Sequence, residues 1–255
     1  LYEEIHAAFD GGMTRGVYVW EAEHKLLDGN LPTPAPSYGE ITDSSLSASI
    51  RFLNRLCIPT SFVENGDAVC VSGLSAETFP LEYLKYGVIT DITAVEILQS
   101  RGVDCGIVTA EDAPAAELED FPAADGCERE LLRTMSGGHF RRVTLAPGAK
   151  VLSTFNAGGK GYPAVWTYEN ADGQRFLCYA FAWNSVDRHS QLLCSYARQA
   201  QALRVLPWLQ GGNAPAAVCA HHPELYMIVK DNENGRAVGL WNCFEDEIIA
   251  PTVTL

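Results

Sequence analysis

The residues with the clearest chemical potential lie in the sequence HHPE at positions 221–224. A histidine can activate a cysteine thiol when a glutamate orients its imidazole ring. Such a thiol stands on a sharp strand-to-helix turn, where its sulfur is exposed. The cysteine nearest to such a turn is Cys70, but it lies between two valines inside the strand pattern, and the turn itself is Ser-Gly-Leu at 72–74. We therefore assign no catalytic residue and keep Cys70, His222 and Glu224 as an alternative set.

Two further motifs suggest ligands only superficially. Cys219, His221 and His222 lack the paired spacing of structural zinc sites, and adjacent histidines on a strand point to opposite faces. In NAGGKGYP at 156–163, Lys160 is followed by glycine instead of the serine or threonine of a phosphate-binding loop. The sequence predicts no metal site and no cofactor.

Aromatic residues on the β segments offer a different chemistry. An exposed tryptophan or tyrosine ring can stack on a sugar ring, although large rings more often fill a core. The carbohydrate-contact candidates on these segments are Trp166, Tyr168, Trp183 and Trp241.

Composition narrows the class of protein. The 255 residues carry a net charge of -14, which argues against nucleic-acid and anionic-membrane partners. Eight cysteines lie mostly on apolar segments, which is typical of reduced, buried thiols and predicts a cytoplasmic protein. The chain opens with Leu1 in an apparently helical segment, so we expect it to be a fragment of a longer protein.

The first half alternates strand and helix patterns. In GVITDITAVEILQSRGVDCGI at 87–107, Thr90 or Asp91 can cap a helix, and Gly102 suits its end. A strand is predicted to resume at VDCGIV, and AETFPLEYLKY at 76–86, with Pro80 in its middle, is predicted to be another helix. This alternation predicts an α/β domain with a parallel sheet over residues 1–125.

The second half, residues 126–255, predicts a β-sandwich domain with one packed helix. Hairpins are expected to turn near Asp172-Gly173 and Asn234-Gly235, and APTVTL is predicted to be the last strand. The helix is expected at about 189–209, and its predicted inward face comprises Leu192, Tyr196, Ala200 and Leu203.

Two long segments resemble parts of a known family. The stretch from VCVSGLS to VDCGI, at 69–107, is similar to the flavodoxin-like, class I glutamine-amidotransferase-like domain that follows the catalytic barrel of bacterial β-galactosidase-type glycoside hydrolases. The tail from PAAVCA to PTVTL, at 215–255, looks like their small C-terminal β domain.

The resemblance implies a role without catalysis. In that family the amidotransferase-like domain lacks the nucleophile and commonly mediates oligomer contacts, while the catalytic glutamates lie in the upstream barrel. We accordingly expect the C-terminal region of a glycoside-hydrolase-like protein, with a homo-oligomer and an upstream barrel in the same chain as partners. Its expected tasks are oligomerisation and the shaping of a carbohydrate site. The alternatives are a stand-alone cysteine hydrolase and a carbohydrate-binding module.

Overall fold

Three β-sheets and three α-helices make up most of the regular structure in the described part of the chain. The computed structural model describes residues 12–20, 45–61, 64–113, 116, 118–124, 128–133, 140–183, 195–220, 222, 225–233, 235–242 and 246–255. None of the helices within these ranges is long and apolar enough to cross a membrane.

The largest sheet has nine strands in the order β3-β2-β4-β5-β12-β11-β10-β7-β8. The bounds of these strands are β2 Val17–Val19, β3 Thr60–Ser61, β4 Val69–Val71, β5 Val88–Asp91, β7 Leu118–Phe121, β8 Glu130–Arg133, β10 Lys150–Ala157, β11 Lys160–Glu169 and β12 Arg175–Tyr179. From β3 to β12 all neighbours are parallel, and from β12 to β8 all are antiparallel. One sheet therefore combines a parallel half and an antiparallel half.

The predicted domain boundary falls inside this sheet. Strand β7 ends before residue 125 and β8 begins after residue 126, yet the two are hydrogen-bonded neighbours. Farther along the chain, β12 pairs in parallel with β5 of the first half. The second half is β-rich, as predicted, but β8, β10, β11 and β12 extend the sheet of the first half and do not form a separate sandwich.

Two smaller sheets complete the strands. Strands β1 (Met13–Arg15), β13 (Leu225–Asn232) and β14 (Gly235–Asn242) form one, and β6 (Ile107–Asp112) pairs antiparallel with β9 (Arg141–Leu145) in the other. The hairpins β11–β12 and β13–β14 turn where the sequence predicts. The strand predicted at VDCGIV thus starts a separate ribbon, and APTVTL contributes only an isolated bridge between Val218 and Thr254.

The segment predicted to be a helix at 76–86 contains two short 3-10 turns instead. They span Gly73–Glu77 and Leu81–Lys85, and Pro80 stands directly before the second. Proline has no backbone N–H and its ring clashes with the preceding helical turn, which disfavours a continuous helix across Pro80.

The helices are α1 (Ser45–Arg55), α2 (Ile92–Ser100) and α3 (Tyr196–Leu209). Helix α2 matches the prediction: the Asp91 side chain accepts a hydrogen bond from Ala94 N, and Gly102 follows the helix with a φ of 87°. Its Ala94, Val95 and Leu98 are buried.

The predicted inward face of α3 is wrong. Tyr196 is 62% exposed, Ala200 and Leu203 are only partly buried, and Leu192 lies outside the described residues. The side chains that α3 buries include polar ones; they are Arg198, Gln199, Gln201, Ala202, Leu206 and Leu209. Apolar periodicity missed this face because polar side chains on it form hydrogen bonds inside the protein.

The most buried of these polar contacts is an ion pair. Arg198 of α3 and Glu119 of β7 are both completely buried, and Arg198 Nη2 donates to Glu119 Oε2. Ser153 Oγ donates to Glu119 Oε1 at 2.6 Å, and Arg198 Nη1 donates to Gln201 Oε1 at 3.0 Å. The guanidinium also lies 4.8 Å from the ring centroid of Phe121. Because each charged group has several partners, the pair holds α3 against the antiparallel half of the large sheet.

A second ion-pair network joins the three-stranded sheet to the large one. Arg15 donates through Nη2 to Asp67 Oδ1 at 2.7 Å and through Nη1 to Asp231 Oδ2 at 2.9 Å. The next residue, Gly16, connects β1 to β2 with a φ of 127°, and a Cβ there would lie 2.4 Å from Pro59 O. Only glycine fits this crossing between the two sheets.

We predict that breaking the buried ion pair lowers the free energy of unfolding more than breaking an exposed ion pair does. Arg198→Met leaves Glu119 charged and buried, so the free energy of unfolding should fall by about 3–5 kcal/mol. The double variant Glu119→Leu/Arg198→Met removes both charges and should lose less than Arg198→Met alone. Urea unfolding followed by circular dichroism measures each loss.

The control is Arg129→Met, since Arg129 pairs with Asp120 on the same strand β7 and its side chain is 62% exposed. Its loss should be far smaller, because solvent screens an exposed pair. The single variant Glu119→Leu completes the set. The ion-pair account fails when the double variant loses as much free energy of unfolding as Glu119→Leu and Arg198→Met lose together when measured singly.

Candidate functional site

The carboxyl ends of the parallel strands form the first candidate site. In open parallel sheets, ligands and catalytic groups gather in the crevice beyond these ends. Here β4 ends at Val71 and continues into Ser72 and Gly73, while β5 ends at Asp91. A cysteine activated by histidine would stand at the sharp turn after β4. Ser72 and Gly73 occupy that turn.

Asp91 links three backbone segments at this edge. Its Oδ1 accepts from Gly73 N at 2.9 Å and from Ala94 N at 3.0 Å, and its Oδ2 accepts from Trp183 N at 3.3 Å. Ser72 Oγ lies 2.6 Å from Ser49 Oγ of α1. The carboxylate therefore holds the turn after β4, the start of α2 and the segment after β12 together.

Burial sets the electrostatics of Asp91. The side chain is 1% exposed, and loss of solvent raises its pKa from 3.8 to about 6, while the three backbone N–H donors act in the opposite direction. A pKa near 6 is typical of groups that exchange protons near neutral pH. Here, however, the carboxyl group is enclosed by backbone donors, so its observed contacts organise the edge.

Aromatic rings fill the space around this edge. The ring of Trp183 stacks on that of Phe52 with centroids 4.2 Å apart, and the ring of Trp20 packs edge-on against that of Phe79 at 6.2 Å. Ser72 and Asp91 are both about 1% exposed. Among the described residues, the side chains at the carboxyl ends are therefore tightly packed, and Ser72 and Asp91 are enclosed.

Cys70 and His222 of the alternative catalytic set belong to different parts of the described fold. Cys70 lies in the middle of β4 and is completely buried. His222 precedes β13 of the three-stranded sheet, and Glu224 lies outside the described residues. Cys70 is thus a core residue, as its position between two valines indicates.

The described part of the chain holds no cluster of three or more His, Cys, Asp or Glu side chains placed to bind a metal ion. Of the residues weighed for zinc, Cys219 is buried and burial raises the pKa of its thiol, His222 is partly buried, and His221 lies outside the described residues.

The four carbohydrate candidates divide into two groups. Trp166 is completely buried, with its Nε1 donating to Cys105 O at 3.1 Å, and Trp183 is 1% exposed. Neither ring has a face open to a sugar, so the hypothesis is contradicted for these two residues. Tyr168 and Trp241 are partly exposed and remain candidates.

Tyr168 and Trp241 lie in different sheets. Tyr168 belongs to β11, and its hydroxyl donates to Asp104 Oδ2 at 2.8 Å. Trp241 belongs to β14, with its ring centroid 6.5 Å from that of Tyr226. The structure therefore does not bring the predicted sugar-contact residues together in one site.

Beyond helix capping, the role of Asp91 has no signal in the local sequence. Its second oxygen meets Trp183 N, and the two residues are 92 positions apart. The local pattern predicts only that Asp91 caps a helix, and the hydrogen bond from Ala94 N is sufficient for that role.

Comparisons with known proteins give structural likeness only. No protein-family model matches the chain, and no curated protein sequence matches it. Among solved structures, the chain is similar to α-L-fucosidase isoenzyme 2 from Paenibacillus thiaminolyticus, with a TM-score of 0.51 and 11% identity over 91% of this chain and 38% of that one.

Two β-galactosidases are also similar. The enzyme from Bacillus circulans sp. alkalophilus gives a TM-score of 0.45 at 15% identity, over 82% of this chain and 33% of that one. The enzyme from Rahnella sp. R3 gives a TM-score of 0.40 at 14% identity, over 89% of this chain and 36% of that one. These structural neighbours are glycoside hydrolases, and the chain spans between 33% and 38% of their length. At these identities the likeness concerns the fold alone.

We predict a distinctive pH dependence from Asp91. A carboxyl group whose pKa is raised on folding binds its proton more tightly in the native state, so it favours folding most at low pH. The contribution declines as pH rises through 3.8 and is lost above about 6. Relative to Asp91→Asn, the wild-type free energy of unfolding should fall by roughly 2–3 kcal/mol between acid and neutral pH.

Urea unfolding of both proteins at several pH values between 3.5 and 7 tests this. Asparagine is a good helix cap, so the variant keeps the bond from Ala94 N. Parallel pH profiles for the two proteins would show that Asp91 titrates as it does in the unfolded chain.

Proposed function

We propose that the chain is the non-catalytic C-terminal region of a bacterial glycoside-hydrolase-like protein, with roles in oligomerisation and in shaping a carbohydrate site. The observation that carries the proposal is the turn after β4. A catalytic domain of this topology would present an exposed nucleophile there. Here the hydroxyl of Ser72 is buried and lies 2.6 Å from Ser49 Oγ, and Gly73 N donates to Asp91 Oδ1.

The strand order supports an amidotransferase-like, flavodoxin-like origin for the parallel half. Numbered along the chain, the strands β2, β3, β4, β5 and β12 stand in the order 2-1-3-4-5. Doubly wound sheets of the flavodoxin type use this order. The fold likeness to part of a fucosidase chain supports the same placement within a larger carbohydrate-active protein.

An edge strand supports the oligomer contact. Strand β8 is the outermost strand of the nine-stranded sheet in the described residues, and its Leu131 is 55% exposed. An edge strand with exposed apolar side chains can pair with the same strand of a second copy.

Activity assays on the intact 255-residue chain test the absence of catalysis. We expect no turnover of glutamine, nitrophenyl galactoside or nitrophenyl fucoside above that of a Cys70→Ala variant, because the thiol of Cys70 is buried in the sheet. Iodoacetamide at neutral pH should label Cys70 only after unfolding, as peptide mapping by mass spectrometry will show. Glutaminase activity that Cys70→Ala abolishes in a folded protein would instead establish the cysteine-hydrolase alternative.

Light scattering tests the oligomer separately. The wild-type mass should be at least twice the 27.8 kDa of one chain. Leu131→Glu should lower this mass while leaving the circular dichroism spectrum unchanged. A wild-type monomer at high protein concentration would remove oligomerisation from the proposal.

A further inference from the structure

A cavity of about 250 Å³ lies between α3 and the strands β10 and β11. The side chains relevant to binding are those of Lys150, Thr167, Glu169, Arg204 and Trp208. Tyr168 also borders the cavity, but successive side chains of β11 point to opposite faces of the sheet, so its ring lies on the face away from α3, against Asp104 and Gly106. The cavity is smaller than the roughly 300 Å³ at which sites for drug-sized ligands begin, so it suits a single small ring.

The ring of Trp208 is held in place from outside the cavity. Arg175 lies 5.7 Å from the ring centroid of Trp208 and donates through Nη1 to Trp208 O at 3.0 Å. This ring needs little ordering on binding, which favours affinity.

The charges at the cavity are not balanced. Glu169 accepts a hydrogen bond from Arg175 Nε at 3.1 Å, so its carboxylate is already paired. Lys150 and Arg204 are exposed and make no ion pair with a carboxylate among the described residues; Arg204 Nη1 donates to Ala124 O at 3.0 Å. Within the described ranges, two cations without an ion-pair partner thus border one small cavity in a chain whose net charge is -14.

We infer that this cavity binds one sugar ring that carries a carboxylate, a hexuronate. The ring of Trp208 offers an apolar face for the C–H groups of the sugar, and Thr167 and Glu169 offer hydrogen-bond partners for its hydroxyls. Lys150 and Arg204 attract the carboxylate through charge-assisted hydrogen bonds. The choice of a sugar rests on the proposed carbohydrate function, whereas the choice of an anion rests on the cavity alone.

Titration of the intact chain with galacturonate and glucuronate tests the inference. Galactose and glucose serve as neutral probes at the same ionic strength, and saturation-transfer NMR and tryptophan fluorescence follow binding. We expect saturable binding of at least one uronate and roughly tenfold weaker binding of the neutral sugar, as loss of one charge-assisted bond implies.

Three variants locate the site. Trp208→Leu should weaken uronate binding roughly tenfold through loss of an aromatic face. The pair Lys150→Gln/Arg204→Gln changes only exposed side chains and should remove the preference for uronate over the neutral sugar. Trp20→Phe, after the carboxyl end of β2, is the matched control and should change nothing.

Two outcomes overturn the inference: equal binding of uronate and neutral sugar, or no saturable binding of either uronate. Retained preference in the Lys150→Gln/Arg204→Gln protein overturns it as well. None of these results bears on the activity and light-scattering experiments, so a failure here is distinguishable from a failure of the proposed function.

Discussion

The buried ion pair between Arg198 and Glu119 is the interaction on which the rest of the structure depends. Two full charges without solvent are tolerated only where each has several partners, and here Ser153, Gln201 and three aromatic rings supply them. The pair joins a helix of the second half of the chain to a strand of the first half, 79 positions away. The two halves therefore share one interior, and strands from both halves form the nine-stranded sheet.

Pairing between strands of the two halves also explains why the carboxyl ends of the parallel strands are tightly packed. Strand β12 of the second half is hydrogen-bonded to β5, which brings Trp183 N to Asp91. The turn after β4 is then bound from both sides and surrounded by aromatic rings. Burying the Asp91 carboxylate costs stability at neutral pH, as its raised pKa indicates, and this cost accompanies an arrangement that fixes three segments at once.

Local signals in the sequence predicted local structure well. The cap at Asp91, the glycine after α2 and the turns of two hairpins depend on a few neighbouring residues, and all lie where the sequence indicates. Long-range features were missed: the pairing of β5 with β12, the separate ribbon of β6 and the burial of Arg198 depend on partners far along the chain. Of the candidate site residues, Trp166 and Trp183 were misjudged because an aromatic residue on a strand has the same local pattern in a core as on a surface. Trp208 was overlooked because it lies on a helix whose buried face is polar.

The central claim is that both halves of the chain form one cooperative structure built on a single sheet. Native-state amide hydrogen exchange of the intact protein, measured at increasing denaturant below the unfolding midpoint, tests this most directly. We expect the buried amides of β4 and β5 to exchange through the same opening, with the same free energy, as those of β11 and β12. Amides of β11 and β12 that stay protected where those of β4 and β5 have already exchanged would contradict the account and restore two separate domains.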